Sequence, residues 1–157
     1  MNHLTQIAGK LEEYGLDAML ITSESGERYA LGFHGEGLVL VTRQGTHYTT
    51  DGRYIEAARE QIAGAQVSLV SAGSGHLAQA RAYIEEHGLK KVGFESGGMT
   101  VDSHARYARE LPCALVPAQG LLDGLRAAKD EEELAAMVRA QKITDEAFSA
   151  ILEFIRP

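Results

Sequence analysis

Two short segments of the sequence combine side chains that can bind a ligand with glycines that permit tight turns. Residues 28–37 read Arg-Tyr-Ala-Leu-Gly-Phe-His-Gly-Glu-Gly, which predicts a recognition loop. Residues 50–54 read Thr-Asp-Gly-Arg-Tyr at the end of a predicted strand. There Asp51 can cap the next helix and Arg53 can pair with a carboxylate. We therefore favour a structural role for the second segment, whereas the first can both form turns and recognise a ligand.

The other residue types that perform catalysis lack the spacing of common catalytic motifs. No two of the six histidines lie three or four residues apart, and the single Cys113 excludes a Cys-x-x-Cys pair. The sequence contains no Gly-x-Ser-x-Gly elbow. Residues 72–76 connect a strand to a helix, where backbone amides can bind phosphate, but they lack the Lys-Ser/Thr of a P-loop. These patterns predict structural roles for the histidines other than His34.

Composition excludes several classes of partner. The 157 residues include 15 Lys+Arg and 22 Asp+Glu, a net charge of −7 that repels nucleic acid and anionic membranes. The longest strongly apolar run, residues 38–41, is far shorter than the roughly 20 residues of a membrane span. Residues 1–10 lack the features of a secretory signal, and one cysteine cannot form an internal disulfide. We therefore expect a cytoplasmic protein without nucleic-acid or membrane partners.

Alternating periodicities predict an α/β domain that positions the two segments. Apolar residues three and four positions apart predict a helix from Leu4 to Tyr14 that ends at Gly15. The β-branched runs at 38–42 and 46–50 predict an antiparallel hairpin. Further predicted strands are 18–21, 67–70, 91–94 and 114–116, and further predicted helices are 54–61, 76–87 and 101–111. This alternation predicts a mixed, about six-stranded sheet flanked by helices.

The C-terminal part of the sequence predicts one long helix. Asp130 and Glu133 form a capping signature, and acidic residues fill the first turn, where the helix dipole favours them. Apolar residues then keep a helical period as far as Ile155. The preceding residues contain two glycines and predict a linker or a short helical turn. We therefore predict domain 1–118, linker 119–129, and a helix of a second domain over 130–157.

Several segments resemble the creatinase/prolidase-type N-terminal domain of Xaa-Pro metallopeptidases, the aminopeptidase P and Xaa-Pro dipeptidase group. Residues 28–33 are similar to the family's Arg-Tyr-Leu-Thr-Gly-Phe, and residues 50–54 to its Thr-Asp-Gly-Arg-Tyr. Segments that resemble further motifs of the family, in the same order, are 16–22, 92–95 and 125–134. Ala30 and Leu31 depart from the family's Leu and Thr. The resemblance extends over essentially the whole chain.

The resemblance implies a fold and a division of labour. The N-terminal domain of the family is a mixed six-stranded sheet flanked by helices, with ribonuclease H-like topology. Peptidase chemistry belongs to a separate C-terminal pita-bread domain that holds two divalent metal ions, such as Mn, Co or Zn. Residues 130–157 resemble the first helix of that domain. We therefore expect no activity from this chain alone, and cleavage of the peptide bond before proline by a longer parent protein.

The resemblance also implies roles for individual residues and partners. In dimeric relatives, the loop after the Gly-Phe motif leans over the partner's active site. This arrangement indicates Phe33, His34 and Glu36 as substrate-gating residues, with Asp51 and Arg53 beside them. No residue of the chain is expected to be catalytic or to bind metal. The expected partners are a second copy, through the N-terminal domain and the exposed C-terminal helix, the protein's own catalytic domain, and a proline-containing peptide.

Two other functions are compatible with the same residues. One is a stand-alone binding or interaction module, for example a sensor that uses the turn at residues 73–76. The other is the N-terminal domain of a creatinase-like hydrolase that acts on a substrate other than a peptide. The reading frame after Pro157 distinguishes a peptidase, which continues into Asp, His and Glu metal ligands, from a stand-alone module.

Overall fold

A computed structural model describes residues 3–70 and 73–155 of the chain. Strands and helices alternate along these residues. The strands are β1 (Ala18–Ile21), β2 (Leu38–Thr42), β3 (Thr46–Thr50), β4 (Gln66–Leu69), β5 (Lys91–Phe94) and β6 (Ala114–Pro117). The helices are α1 (His3–Lys10), α2 (Glu24–Leu31), α3 (Ile55–Gln61), α4 (Gly75–Glu86), α5 (Val101–Glu110), α6 (Gln119–Ala127) and α7 (Glu131–Leu152). The predicted mixed α/β fold with a long C-terminal helix is confirmed.

All six strands form one sheet in the order β4–β3–β2–β1–β5–β6. The strands β1, β2 and β3 are antiparallel neighbours, whereas β4, β5 and β6 each join the sheet in parallel. The β2–β3 hairpin has the predicted bounds, because its β-branched residues and the turn at residues 43–45 are local signals. The strand order places the ends of β1, β2 and β3 beside one another at the centre of the sheet.

Helices cover both faces of the sheet, and each face has its own apolar core. Successive side chains of β1 point alternately into the two cores, because side chains alternate between the faces of a pleated strand. Met19 and Ile21 pack with Ile7 of α1, whereas Leu20 packs with Ile84 of α4. The residues of β1 and β2 are completely or almost completely buried, so the central strands anchor the loops at their ends.

Helix α2 is the main difference from the prediction, which placed no helix between the strand 18–21 and the hairpin and assigned a loop to residues 28–37. Ser23 caps the helix by accepting a hydrogen bond from the Gly26 N–H at 2.9 Å, and Gly32 ends it in the left-handed region at φ 65°. The prediction overlooked these local capping signals because the segment is polar and lacks a strong apolar period. Elsewhere, α1 ends at Lys10, earlier than predicted, and the remaining predicted elements before residue 118 agree within one residue at each end.

A buried carboxylate from a distant strand fixes the beginning of α2. Glu95, which follows β5, is 5% exposed and accepts hydrogen bonds from the Thr22 N–H, the Ser23 N–H and the Ser23 hydroxyl at 2.9, 3.0 and 2.6 Å. A Cβ atom at Gly26 would lie 2.6 Å from Glu95 Oε1, so the helix can approach this carboxylate only with glycine there. Glu95 therefore ties the end of β1 to the start of α2.

Helix α4 packs on β3 through a stack of three rings. The buried ring of His47 lies 4.9 Å from that of Tyr83, which lies 3.9 Å from that of His87. His47 Nε2 is hydrogen-bonded to the Ser68 hydroxyl at 2.9 Å. Burial lowers the pKa of His47, the charge of His87 lowers it further, and Glu86 opposes the shift. The folded state therefore favours a neutral His47.

Residues 126–155 form a compact unit of their own. The predicted capping box is present: Asp130 accepts from the Glu133 N–H, and Glu133 accepts from the Asp130 N–H, both at 2.9 Å. Helix α6 occupies most of the segment predicted as a linker over 119–129, because Leu121 and Leu122 are buried. The assignment of domains stays a prediction. Among the described residues, no helix is long and apolar enough to cross a membrane.

We expect Glu95→Gln to lower the free energy of unfolding by about 2 kcal/mol, because an amide cannot satisfy three donors as a buried carboxylate does. Denaturant unfolding of the variant and the wild type measures this difference. Glu60→Gln, at an exposed position on α3, is the matched control and changes stability by less than about 0.5 kcal/mol. Equal effects of the two substitutions would contradict the role of Glu95.

We expect the free energy of unfolding to decrease as the pH falls through 6.5, the ordinary pKa of histidine. The unfolded chain then takes up a proton at residue 47 that the folded state resists, so protons favour unfolding. Denaturant unfolding between about pH 7.5 and 5 should show a weaker pH dependence for His47→Gln than for the wild type. His87→Gln should give an intermediate slope because it removes only the neighbouring charge. Identical slopes for all three proteins would contradict this account.

Candidate functional site

The loop between α2 and β2, residues 32–37, carries three of the five predicted site residues. Phe33 is 8% exposed and packs edge-on against Tyr48, with ring centroids 6.3 Å apart. The side chain of His34 is 22% exposed. Glu36 has φ 49°, a left-handed conformation that is uncommon outside glycine, and its side chain is 52% exposed. The loop therefore buries Phe33, leaves His34 partly exposed and exposes Glu36.

Two glycines allow this loop to lie directly on the hairpin. A Cβ atom at Gly37 would overlap the ring of Tyr48 and the carbonyl oxygen of Thr49, and one at Gly35 would lie 2.6 Å from Phe33 Cε1. The Thr50 hydroxyl donates to the Gly35 carbonyl at 2.6 Å. The predicted glycine-rich turn is therefore a close backbone contact that larger residues would block.

Beneath the loop lies Glu27, a buried carboxylate that the sequence prediction missed. Glu27 is 3% exposed and accepts hydrogen bonds from His34 Nδ1 at 2.6 Å and from the N–H groups of Gly35 and Gly37 at 3.1 and 3.2 Å. The Tyr48 hydroxyl donates to the same carboxylate. Burial raises the pKa of Tyr48, and the hydrogen bond to Glu27 raises it further by a smaller amount. No local pattern marks Glu27, since an acidic residue in a polar helix usually faces solvent.

The second predicted segment meets the loop through Arg53. Its Nη2 donates to Glu36 at 2.6 Å and to Asp51 at 2.7 Å, and its Nε donates to Asp51 at 3.0 Å. The Tyr54 hydroxyl donates to Glu36 at 3.3 Å. Asp51 also accepts from the Arg53 N–H, but it does not cap α3, whose N-cap is Tyr54. The prediction that Asp51 caps the helix is wrong because α3 begins four residues later, at Ile55, with Tyr54 at its N-cap. The predicted ion pair of Arg53 with a carboxylate is present.

The electrostatics of this exposed cluster depend on Arg53. Its hydrogen bonds and charge lower the pKa of Glu36 and of Asp51, and the two carboxylates in turn raise the pKa of Arg53. A guanidinium therefore stands where a cation would have to bind, so these two carboxylates do not fit a divalent metal site. Their chemistry suits polar recognition at a surface.

Other residues considered in the sequence take positions within the scaffold. His76 Nδ1 lies 3.2 Å from the Thr49 hydroxyl, and the His104 ring packs on that of Phe94. The turn at residues 72–76, which lacks the P-loop residues, begins at a position that lies outside the described residues. Burial raises the pKa of Cys113, as expected for a small residue packed among apolar neighbours.

A three-stranded antiparallel meander extended by parallel strands on both sides defines a mixed α/β domain with a polar loop above its central hairpin. The sequence profile of the Creatinase/Prolidase N-terminal domain matches residues 3–128. The chain belongs to this family.

The relatives of this chain include peptidases. The uncharacterized peptidase YqhT of Bacillus subtilis (strain 168) is 34% identical over 98% of this chain and 44% of its own length. The Xaa-Pro dipeptidase from Bacillus anthracis superposes with TM-score 0.91 and 30% identity over 98% of this chain and 43% of its own. The N-terminal domain of the cytoplasmic peptidase PepQ from Mycobacterium tuberculosis H37Rv matches with TM-score 0.69 and 31% identity over 80% of this chain and 99% of its own. The chain thus spans less than half of the first two relatives.

We expect Arg53→Gln to raise the pKa of Glu36 and of Asp51, since both lose the cation that stabilises their ionised forms. Side-chain carbon chemical shifts followed from pH 2 to 7 measure these values. Arg59→Gln, which removes an exposed arginine of the neighbouring helix, is the control and leaves them nearly unchanged. A Glu36 pKa that is the same in wild type and Arg53→Gln would contradict the observed ion pair.

Proposed function

We propose that this chain is the non-catalytic N-terminal domain of an Xaa-Pro peptidase and that its loop 32–37 borders the entrance to the catalytic cleft. The observation that carries the proposal is coverage: almost the whole chain aligns with less than half of an Xaa-Pro dipeptidase at TM-score 0.91. The parent protein would hydrolyse the peptide bond that precedes proline.

Catalysis in this proposal belongs to a further domain, which would also hold the two divalent metal ions. The apolar side chains of α7 support this assignment. Val138, Phe148 and Ile151 are 68%, 63% and 49% exposed. Burial of each large apolar side chain is worth roughly 1.5–3 kcal/mol, so a partner surface for this helix is strongly favoured. We assign α7 to the catalytic domain as its first helix, with a second copy of the chain as a further partner.

Substrate gating is the role we propose for the loop and for the cluster beside it. His34, Glu36, Asp51 and Arg53 are at least partly exposed, and Phe33 holds the loop on the core. A fixed polar wall at the mouth of a cleft limits the length of peptide that enters and leaves the chemical step unaffected. The relative PepQ is described as a cytoplasmic peptidase. Together with the single cysteine, this supports a cytoplasmic location for the parent protein.

We expect the full-length protein to cleave Xaa-Pro dipeptides and the 157-residue chain to have no such activity. In the full-length protein, His34→Ala and Glu36→Ala should change KM, or the ratio of kcat/KM between dipeptides and longer peptides, by about threefold or more. The metal content should stay the same, because neither residue binds metal in this proposal. Steady-state kinetics with a length series of proline peptides, together with elemental analysis, measure both effects.

Glu85→Ala is the matched control because Glu85 is also an exposed glutamate that pairs with an arginine, Arg81. It should leave the kinetics unchanged. Proline-peptide cleavage by the isolated chain would refute the assignment of catalysis to another domain. Wild-type kinetics for both loop variants would refute substrate gating.

A further inference from the structure

The most deeply buried acidic group beside the candidate site is also the one with the most hydrogen-bond donors. Glu27 lies on α2, one turn before the helix ends, and its carboxylate receives three hydrogen bonds from the loop and one from Tyr48 of β3. The three from the loop come from residues 34, 35 and 37. Both oxygens are used, since Oε2 accepts from His34 and Oε1 accepts from the two glycines and Tyr48.

From this arrangement we infer that Glu27 is the positioning residue of the gating loop: its carboxylate sets the conformation in which His34 and Glu36 are presented. The inference rests on the proposed function for the consequence to substrate, but the positioning itself is a property of this chain. Glu27 touches no substrate in this account and acts through the residues above it.

The energetics of burial favour this role. An ionised carboxylate removed from water is strongly destabilising unless hydrogen bonds replace its hydration, so the folded chain needs all these donors in place. The loop N–H groups of Gly35 and Gly37 are equally dependent on Glu27, because buried amides require acceptors. Loop and carboxylate therefore form one unit, and a displaced loop would leave both sides unsatisfied.

The same unit restrains the exposed groups. His34 is held through Nδ1, which fixes the plane of its imidazole ring. Glu36 lies between the two glycines whose N–H groups Glu27 binds, and this placement maintains its left-handed backbone and directs its carboxylate to Arg53. The loop therefore has its binding conformation before substrate arrives. Such preorganisation lowers the conformational entropy that is lost when substrate binds.

The test compares Glu27→Gln, Tyr48→Phe and Ile84→Ala in the full-length protein. Hydrogen–deuterium exchange of the peptide that covers residues 32–38 reports the loop, and kcat and KM for a proline dipeptide report the site. We expect Glu27→Gln to accelerate exchange in this peptide by about tenfold and to raise KM by about tenfold, with kcat within about twofold of wild type. A glutamine offers one acceptor oxygen in place of two, so some donors of the loop lose their partner.

Tyr48→Phe removes one donor and leaves the three loop hydrogen bonds, so we expect smaller changes in the same direction. This variant keeps the test valid if Glu27→Gln does not fold. Ile84→Ala weakens the core on the opposite face of the sheet and controls for a loss of stability alone. It should leave both KM and the exchange of residues 32–38 unchanged.

Exchange decides the positioning role and KM decides its link to substrate. Unchanged exchange of residues 32–38 in both Glu27→Gln and Tyr48→Phe would overturn the inference, as would an equal KM change in Ile84→Ala. Faster exchange in Glu27→Gln with wild-type KM in His34→Ala and Glu36→Ala would support Glu27 as the positioning residue and refute substrate gating. Faster exchange and a wild-type KM in Glu27→Gln, together with altered KM in His34→Ala and Glu36→Ala, would support both the positioning role and gating and would overturn only the link between Glu27 and substrate.

Discussion

The hydrogen bonds of the buried Glu27 carboxylate are the constraint on which the surface of this domain depends. Helix α2 supplies the acceptor, the loop supplies three donors and the hairpin supplies a fourth. Because an unsatisfied buried charge is so unfavourable, these elements adopt one mutual arrangement. At the start of the same helix, Glu95 satisfies the donors of residues 22 and 23. One buried carboxylate therefore connects the start of α2 to the segment after β5, and another connects α2 to the loop that follows it.

The central sheet makes this arrangement possible. Its strand order brings the end of β1, which leads into α2, next to the hairpin that carries Tyr48. Glycine at positions 35 and 37 then allows the loop to touch the ring of Tyr48, since any side chain would collide there. The contact between loop and strand therefore requires both the glycines at positions 35 and 37 and the large ring of Tyr48. The exposed cluster of Glu36, Asp51 and Arg53 follows from the same contact, because it brings the two segments together.

The proposed separation of a gating N-terminal domain from a catalytic domain accounts for both the exposed polar cluster and the exposed apolar residues of α7. A domain that gates substrate needs a fixed surface more than a reactive group, and the described cluster offers two carboxylates that are both paired with Arg53. The exposed apolar residues of α7 indicate a different need, namely a surface that buries them. Both observations agree with a chain that spans less than half the length of two peptidase relatives, YqhT and the Xaa-Pro dipeptidase from Bacillus anthracis.

The sequence by itself determined the elements whose signals are local. The β-branched hairpin, the capping box at Asp130 and the alternation of strands with helices required only neighbouring residues, and the family motifs located the candidate loop. Only the tertiary structure decided that Glu27 is buried and that Asp51 pairs with Arg53 and does not cap α3. It also decided that Phe33 lies in the core while His34 remains partly exposed. The physical reason is that the environment of a charged group is set by donors distant in sequence. Tyr48 lies 21 residues from Glu27, and Glu95 lies 72 residues from Ser23.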